Sequence, residues 1–170
     1  QVTVLYGGQH NGVALRDHWA FDGQAWVQIS ASAAPGLKFR SALAFDSLRD
    51  KVVMFGGRPS ASSGSNVSDD TWTWDGNSWT LEAPSVRPPA RSLHGMTNSP
   101  ALGGVLIHGG TATNWPGSSD TWLWDGSDWT QVGGALRPPN RGTIGFVADD
   151  ARGNCVLMGG WTGNSAFSDT

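Results

Sequence analysis

The chain has a single cysteine, Cys155, among 170 residues. No intrachain disulfide can form, and no zinc site built on cysteine can be assembled. Cys155 lies in the apolar run Cys155-Val156-Leu157-Met158 and reads as a packed thiol rather than a reactive one. Lysine is nearly as scarce, with only Lys38 and Lys51, and the net charge of −3 is spread without any basic stripe. A phosphate backbone would find no electrostatic footprint here, so nucleic acid is not an expected partner. No apolar run approaches the length of a membrane span, no charged leader precedes an apolar stretch, and no glycine-rich phosphate loop is present. The chain opens Gln1-Val2-Thr3-Val4 without Met, which suggests processing or truncation; no compartment is assigned, a secreted or cell-surface one being compatible.

What the sequence does have is turn-forming and aromatic residues. Twenty-four Gly, ten Trp and nine Pro point to short strands and tight turns, and away from helices. Asp120-Thr121-Trp122-Leu123-Trp124-Asp125-Gly126-Ser127-Asp128-Trp129 recurs at Asp70-Thr71-Trp72-Thr73-Trp74-Asp75-Gly76-Asn77-Ser78-Trp79. A looser copy runs from Asp17 to Trp26, and a fourth begins at Asp169-Thr170. Doubled glycines at Gly7-Gly8, Gly56-Gly57, Gly109-Gly110 and Gly159-Gly160 are 49, 53 and 50 residues apart. Arg40, Arg91 and Arg141 recur at 51 and 50. A shared period of about 50 residues makes this a repeat protein.

Each period reads as four strands. Arg40 opens the first, in which Leu43 and Phe45 take one face and small Ala42 and Ala44 the other, a parity suited to a strand wedged between two packed sheets. A turn holding Asp46 and Arg49, and again Asp149 and Arg152, leads to the second strand, which ends on the glycine pair. A loop of variable length precedes the third strand, and Asp-Gly then signals a hairpin into the fourth, because glycine tolerates the positive φ of a tight turn. Ala34-Pro35-Gly36, Arg87 to Arg91 and Arg137 to Arg141 are proline-stiffened connectors. A four-stranded unit of this size cannot cover both of its faces, so it is expected to stack on copies of itself.

The order of Gly-Gly followed by Asp-Thr-Trp-x-Trp-Asp-Gly-x-x-Trp resembles the kelch repeat of bacterial kelch-containing proteins. It is carried by Gly56, Gly57, Trp72 and Trp79 and again by Gly109, Gly110, Trp122 and Trp129, and it spans essentially the whole chain. The resemblance implies an all-β fold, a kelch-type β-propeller of four-stranded antiparallel blades with the Arg-started strand innermost. The chain then holds about three and a half blades: a part blade in 1–34, blades in 40–86 and 91–136, and a part blade in 141–170. Thirteen strands are expected, with the first blade lacking its innermost strand. Because such rings resemble closed circles of more blades than this, the remaining blades are expected from a longer chain or another copy. Trp19, Trp26, Trp72, Trp74, Trp79, Trp122, Trp124 and Trp129 are assigned to packing between blades.

Variation marks the face bearing the loops from Gln9 to Arg16, Arg58 to Asp69, Thr111 to Ser119 and Trp161 to Ser168, where binding is most often built on a rigid scaffold. Trp115 and Trp161 stand outside the repeat and could stack on a sugar or a peptide side chain, with Asn114, Arg58 and His10 as polar neighbours. The in-phase Arg40, Arg91 and Arg141 are assigned to bracing. The histidines His10, His18, His94 and His108 show no metal-ligand spacing and read as unrelated, and the paired carboxylates Asp69-Asp70 and Asp149-Asp150 read as caps. No metal or cofactor is expected. The reading is a non-catalytic module that presents variable loops to a protein or glycan. The alternatives are part of a sugar-acting propeller enzyme, similar to a sialic acid mutarotase, or a structural repeat of a larger surface protein; Tyr6 is the one tyrosine, too few for a galactose oxidase-like copper site.

Overall fold

A computed structural model describes residues 2–31, 33–59, 67–112 and 117–170. The chain is all-β, and its described residues form thirteen strands in four antiparallel sheets. The first sheet is β1 (Thr3–His10), β2 (Val13–Phe21) and β3 (Trp26–Gln28); the second is β4 (Ala42–Asp46), β5 (Lys51–Phe55), β6 (Thr71–Trp74) and β7 (Trp79–Leu81). The third is β8 (Gly95–Ser99), β9 (Gly104–His108), β10 (Thr121–Trp124) and β11 (Trp129–Val132), and the fourth pairs β12 (Gly145–Asp149) with β13 (Asn154–Met158). Strands neighbour one another in sequence order within every sheet. Register makes β1, β5, β9 and β13 equivalent: Tyr6 faces His18 as Phe55 faces Thr71 and His108 faces Thr121.

The turns are closed by side chains that their sequence supplies. Asp75 Oδ1 accepts from the amides of Asn77 and Ser78 at 2.9 and 2.8 Å, and Asp22 and Asp125 do the same in their own hairpins. Asp46 and Asp149 accept from Arg49 and Arg152 at 2.9 and 2.7 Å, joining the ends of their turns. One expectation is overturned in the first sheet. Gln9 to Arg16 is not a loop, because Asn11 (φ 48) and Gly12 (φ 82) form a two-residue hairpin turn and the strands run through Gln9 and Val13 on either side of it.

Apolar walls join the sheets. Tyr6, Met54, Trp74 and Trp79 form the wall between the first and second sheets, and Leu43 packs against it. Phe55, Val105, Ile107, Trp124 and Trp129 form the wall between the second and third, with Ala42 and Ala44 at its edge. Strand β4 therefore shows the parity expected of a wedge. Each fully buried side chain of this size contributes about 1.5–3 kcal/mol. Indole N–H groups are also used between sheets: Trp79 Nε1 donates to His18 Nδ1 at 3.4 Å, and Trp129 Nε1 to Thr71 Oγ1 at 2.9 Å. Packing does not hold for every tryptophan. Trp26 is 48% exposed, with its ring 5.2 Å from that of Phe21, and among the described residues no pair of rings receives it as Tyr6 and His18 receive the equivalent Trp79.

The braces correct the assumed phase. Lys38, not Arg40, is equivalent to Arg91 and Arg141. Lys38 precedes Gly56 by 18 residues, as Arg91 precedes Gly109 and Arg141 precedes Gly159. Each of the three is buried and paired with the Asp that opens the tryptophan motif: Lys38 with Asp70 at 2.8 Å, Arg91 with Asp120 at 2.7 Å, Arg141 with Asp169 at 2.6 Å. Their carbonyls accept in turn from the second glycine of the preceding sheet's pair, Gly8, Gly57 and Gly110, at 2.8, 2.9 and 2.8 Å. A Cβ on the first glycine would overlap the same carbonyl at Gly7, Gly56 and Gly109, which is why the pair is glycine. Arg40 instead takes the left-handed backbone shared by Leu93 and Thr143, and its side chain is exposed.

Candidate functional site

Gln9, Arg58, Thr111 and Trp161 each follow a glycine pair and occupy one repeat position. In three of the sheets the backbone there is fixed by a two-residue bridge, Arg58 to Phe39, Thr111 to Ser92 and Trp161 to Gly142. The Trp161 amide, for example, donates to Gly142 O at 2.9 Å and Gly142 N–H returns the bond at 3.0 Å. Two of the candidate residues, Arg58 and Trp161, are thus one structural position filled by different chemistry. The sequence reading found both but did not see their equivalence; the signal was the constant distance from the glycine pair.

Arg58 is half-buried and held in place. Its Nε donates to Ser92 Oγ at 3.2 Å and its Nη2 to Ala112 O at 2.7 Å. Burial, and then the charge of Arg40, lower its pKa from the usual arginine value. Arg40 is the neighbouring exposed cation, its guanidinium carbon 5.2 Å from the centre of the Phe39 ring. Trp161 is 41% exposed at the start of a turn in which Thr162 Oγ1 accepts from the Ser165 amide at 3.0 Å. An indole so placed offers an apolar face for stacking, and Arg40 and Arg58 offer donors and positive charge. His10 sits at the exposed tip of the first hairpin, beside Asn11 at 3.1 Å. Asn114 and Trp115 lie outside the described residues.

The other three histidines are core groups. His18 and Thr71 hold one repeat position, each accepting a tryptophan N–H from the next sheet. Their place directly before Trp19 and Trp72 in the repeated stretch was the legible clue. His108 bonds Thr121 Oγ1 at 2.9 Å inside the third sheet. Burial lowers the pKa of His18 and His108, and it drives His94 down to about 3, with Arg91 adding to the effect. These are neutral wall residues. Asp120 is pushed up by burial but held lower overall by the hydrogen bonds and charge of Arg91, with Trp122 N–H adding to them.

Among the described residues, no three His, Cys, Asp or Glu side chains gather as they would around a metal ion. No helix among them is long and apolar enough to cross a membrane. Comparison with protein-family models gives no match, and no curated protein is found to be similar.

Proposed function

We propose that the chain is an arc of a kelch-type β-propeller, about three and a half blades, acting as a non-catalytic module whose face beyond the glycine pairs binds a protein or glycan. The observation that carries this reading is the post-glycine position. Around it, Lys38, Arg91, Arg141 and the glycines repeat as scaffold, while the position itself passes from Gln9 to Arg58 to Thr111 to Trp161. A position held rigid in backbone and free in side chain is where recognition is built.

Glycan-array and pull-down binding before and after Trp161→Ala, alone and with Trp115→Ala, tests it. The expected result is lost binding with an unchanged melting temperature. Unchanged binding would remove these tryptophans from the site.

A further inference from the structure

Two arginines meet on the second sheet, which has four strands and a sheet packed on either side of it. Phe39 and Arg58 exchange backbone hydrogen bonds at 3.0 and 2.9 Å, which places Arg40, the residue after Phe39, beside Arg58. The Arg58 guanidinium is anchored on the third sheet, with Nε on Ser92 Oγ and Nη2 on the Ala112 carbonyl, while its Nη1 has no partner among the described residues. The Arg40 guanidinium is not tied by any hydrogen bond among those residues and stands over the Phe39 ring, 5.2 Å from its centre.

This pair has no counter-ion. No ion pair among the described residues includes Arg40 or Arg58, whereas Arg49, Arg91 and Arg141 each face an aspartate. Asp69 and Asp70, next to strand β6 of the same sheet, are turned to Arg87 and Lys38. The residues that are not described contain no Asp or Glu. Burial, and then the charge of Arg40, hold the Arg58 pKa below the usual arginine value. Two like charges without a counter-ion repel, and an anion placed between them turns that repulsion into attraction.

The surroundings select the kind of anion. Main-chain groups along this face are already used, in the bridges Phe39 to Arg58, Ser92 to Thr111 and Gly142 to Trp161. The left-handed residues are linked as well: Leu93 N–H donates to Arg40 O at 3.0 Å, and Thr143 N–H to Leu93 O at 2.7 Å. A peptide finds no free strand edge to extend here, so a ligand is read by side chains alone. Those side chains run in one file over three sheets, Arg40 and Arg58, then Leu93 and Thr111, then Thr143 and Trp161. Positive charge at one end with hydroxyl and indole at the other suits an acidic sugar chain, whose carboxylate fits guanidinium donors and whose ring faces fit an indole.

We propose that Arg40 and Arg58 form an acidic-sugar subsite of the loop face, holding a uronate carboxylate between them while the sugar chain continues toward Thr143 and Trp161. The assignment rests on the reading of that face as a binding surface and gives its ligand a chemical class. Arg58, fixed by Ser92 and Ala112, presents a preorganised donor through Nη1, and Arg40 closes on the second carboxylate oxygen.

The test is isothermal titration of the chain with an oligogalacturonate and with its methyl ester, which has the same rings without the charge. Saturable binding of the acid is expected, at least about tenfold tighter than that of the ester, and weakened at least about tenfold by Arg40→Asn. Asn suits the left-handed backbone of residue 40, so this variant should keep its melting temperature. Arg152→Gln, in the turn at the other end of strand β13, removes the same charge and should leave the affinity unchanged. Absence of binding, equal affinity for acid and ester, or equal losses from Arg40→Asn and Arg152→Gln would overturn the proposal. Tighter binding of an oligoglutamate peptide would make the occupant an acidic peptide and would overturn it as well. Equal affinity for acid and ester that nevertheless falls with Trp161→Ala would leave the loop face as a binding surface and remove only the acidic subsite.

Discussion

All five residues of β9 are buried, whereas none is in β13, its counterpart fifty residues on. The two strands are similarly apolar, Gly104-Val105-Leu106-Ile107-His108 against Asn154-Cys155-Val156-Leu157-Met158. What separates them is company. The third sheet is flanked by the second and fourth, while the fourth turns Val147 and Met158, 59% and 61% exposed, to solvent. The braces follow the same rule: the Arg91–Asp120 pair is 1% and 16% exposed, but in Arg141–Asp169 the carboxylate is 54% exposed. A repeat sequence therefore specifies a sheet, and its neighbours decide how much that sheet is worth.

The widest separation should come from tryptophans that share a repeat position. Trp129→Ala empties a wall and is expected to cost about 3–5 kcal/mol in urea unfolding, against less than about 1 kcal/mol for Trp26→Ala. Comparable losses would mean that neighbours do not set the value of the position. Next come the braces. Asp120→Asn strands the buried Arg91 charge and should cost about 3–5 kcal/mol, whereas Asp169 is itself 54% exposed, so water already screens its pair with the equally buried Arg141 and Asp169→Asn should cost less.

The smallest effect is one of pH and belongs to the walls alone. Below about 6.5 the unfolded chain takes up a proton that folded His94 refuses until about 3, so stability is full above that window and falls as pH drops through it. The slope is at most about 1.4 kcal/mol per pH unit for each such histidine. His94→Leu should flatten it between pH 6.5 and 5, while a change at exposed His10 should not. A slope insensitive to His94 would show that its ring is reached by water.

Much of this was readable in the residues. Strand number, hairpin turns and the wedge parity of β4 follow from Asp-Gly, the glycine pairs and the alternation of Leu43 and Phe45 with Ala42 and Ala44. The brace was misplaced because Arg40 looked like Arg91, whereas Lys38, a different residue type, has the right distance to its glycine. The first hairpin was missed because Asn11-Gly12 lies where the other repeats carry loops. For the site, the sequence pointed to Arg58 and Trp161 without relating them, although their shared place after a glycine pair carried the signal; the backbone bridge that fixes both is what the structure adds.

Hydrogen–deuterium exchange of the intact chain tests most directly the claim that flanking sheets, not strand sequence, confer stability. The account predicts that amides of β5, β9 and β10 exchange slowest and those of β12 and β13 much faster, despite their shared repeat. Equal protection in the third and fourth sheets would contradict it.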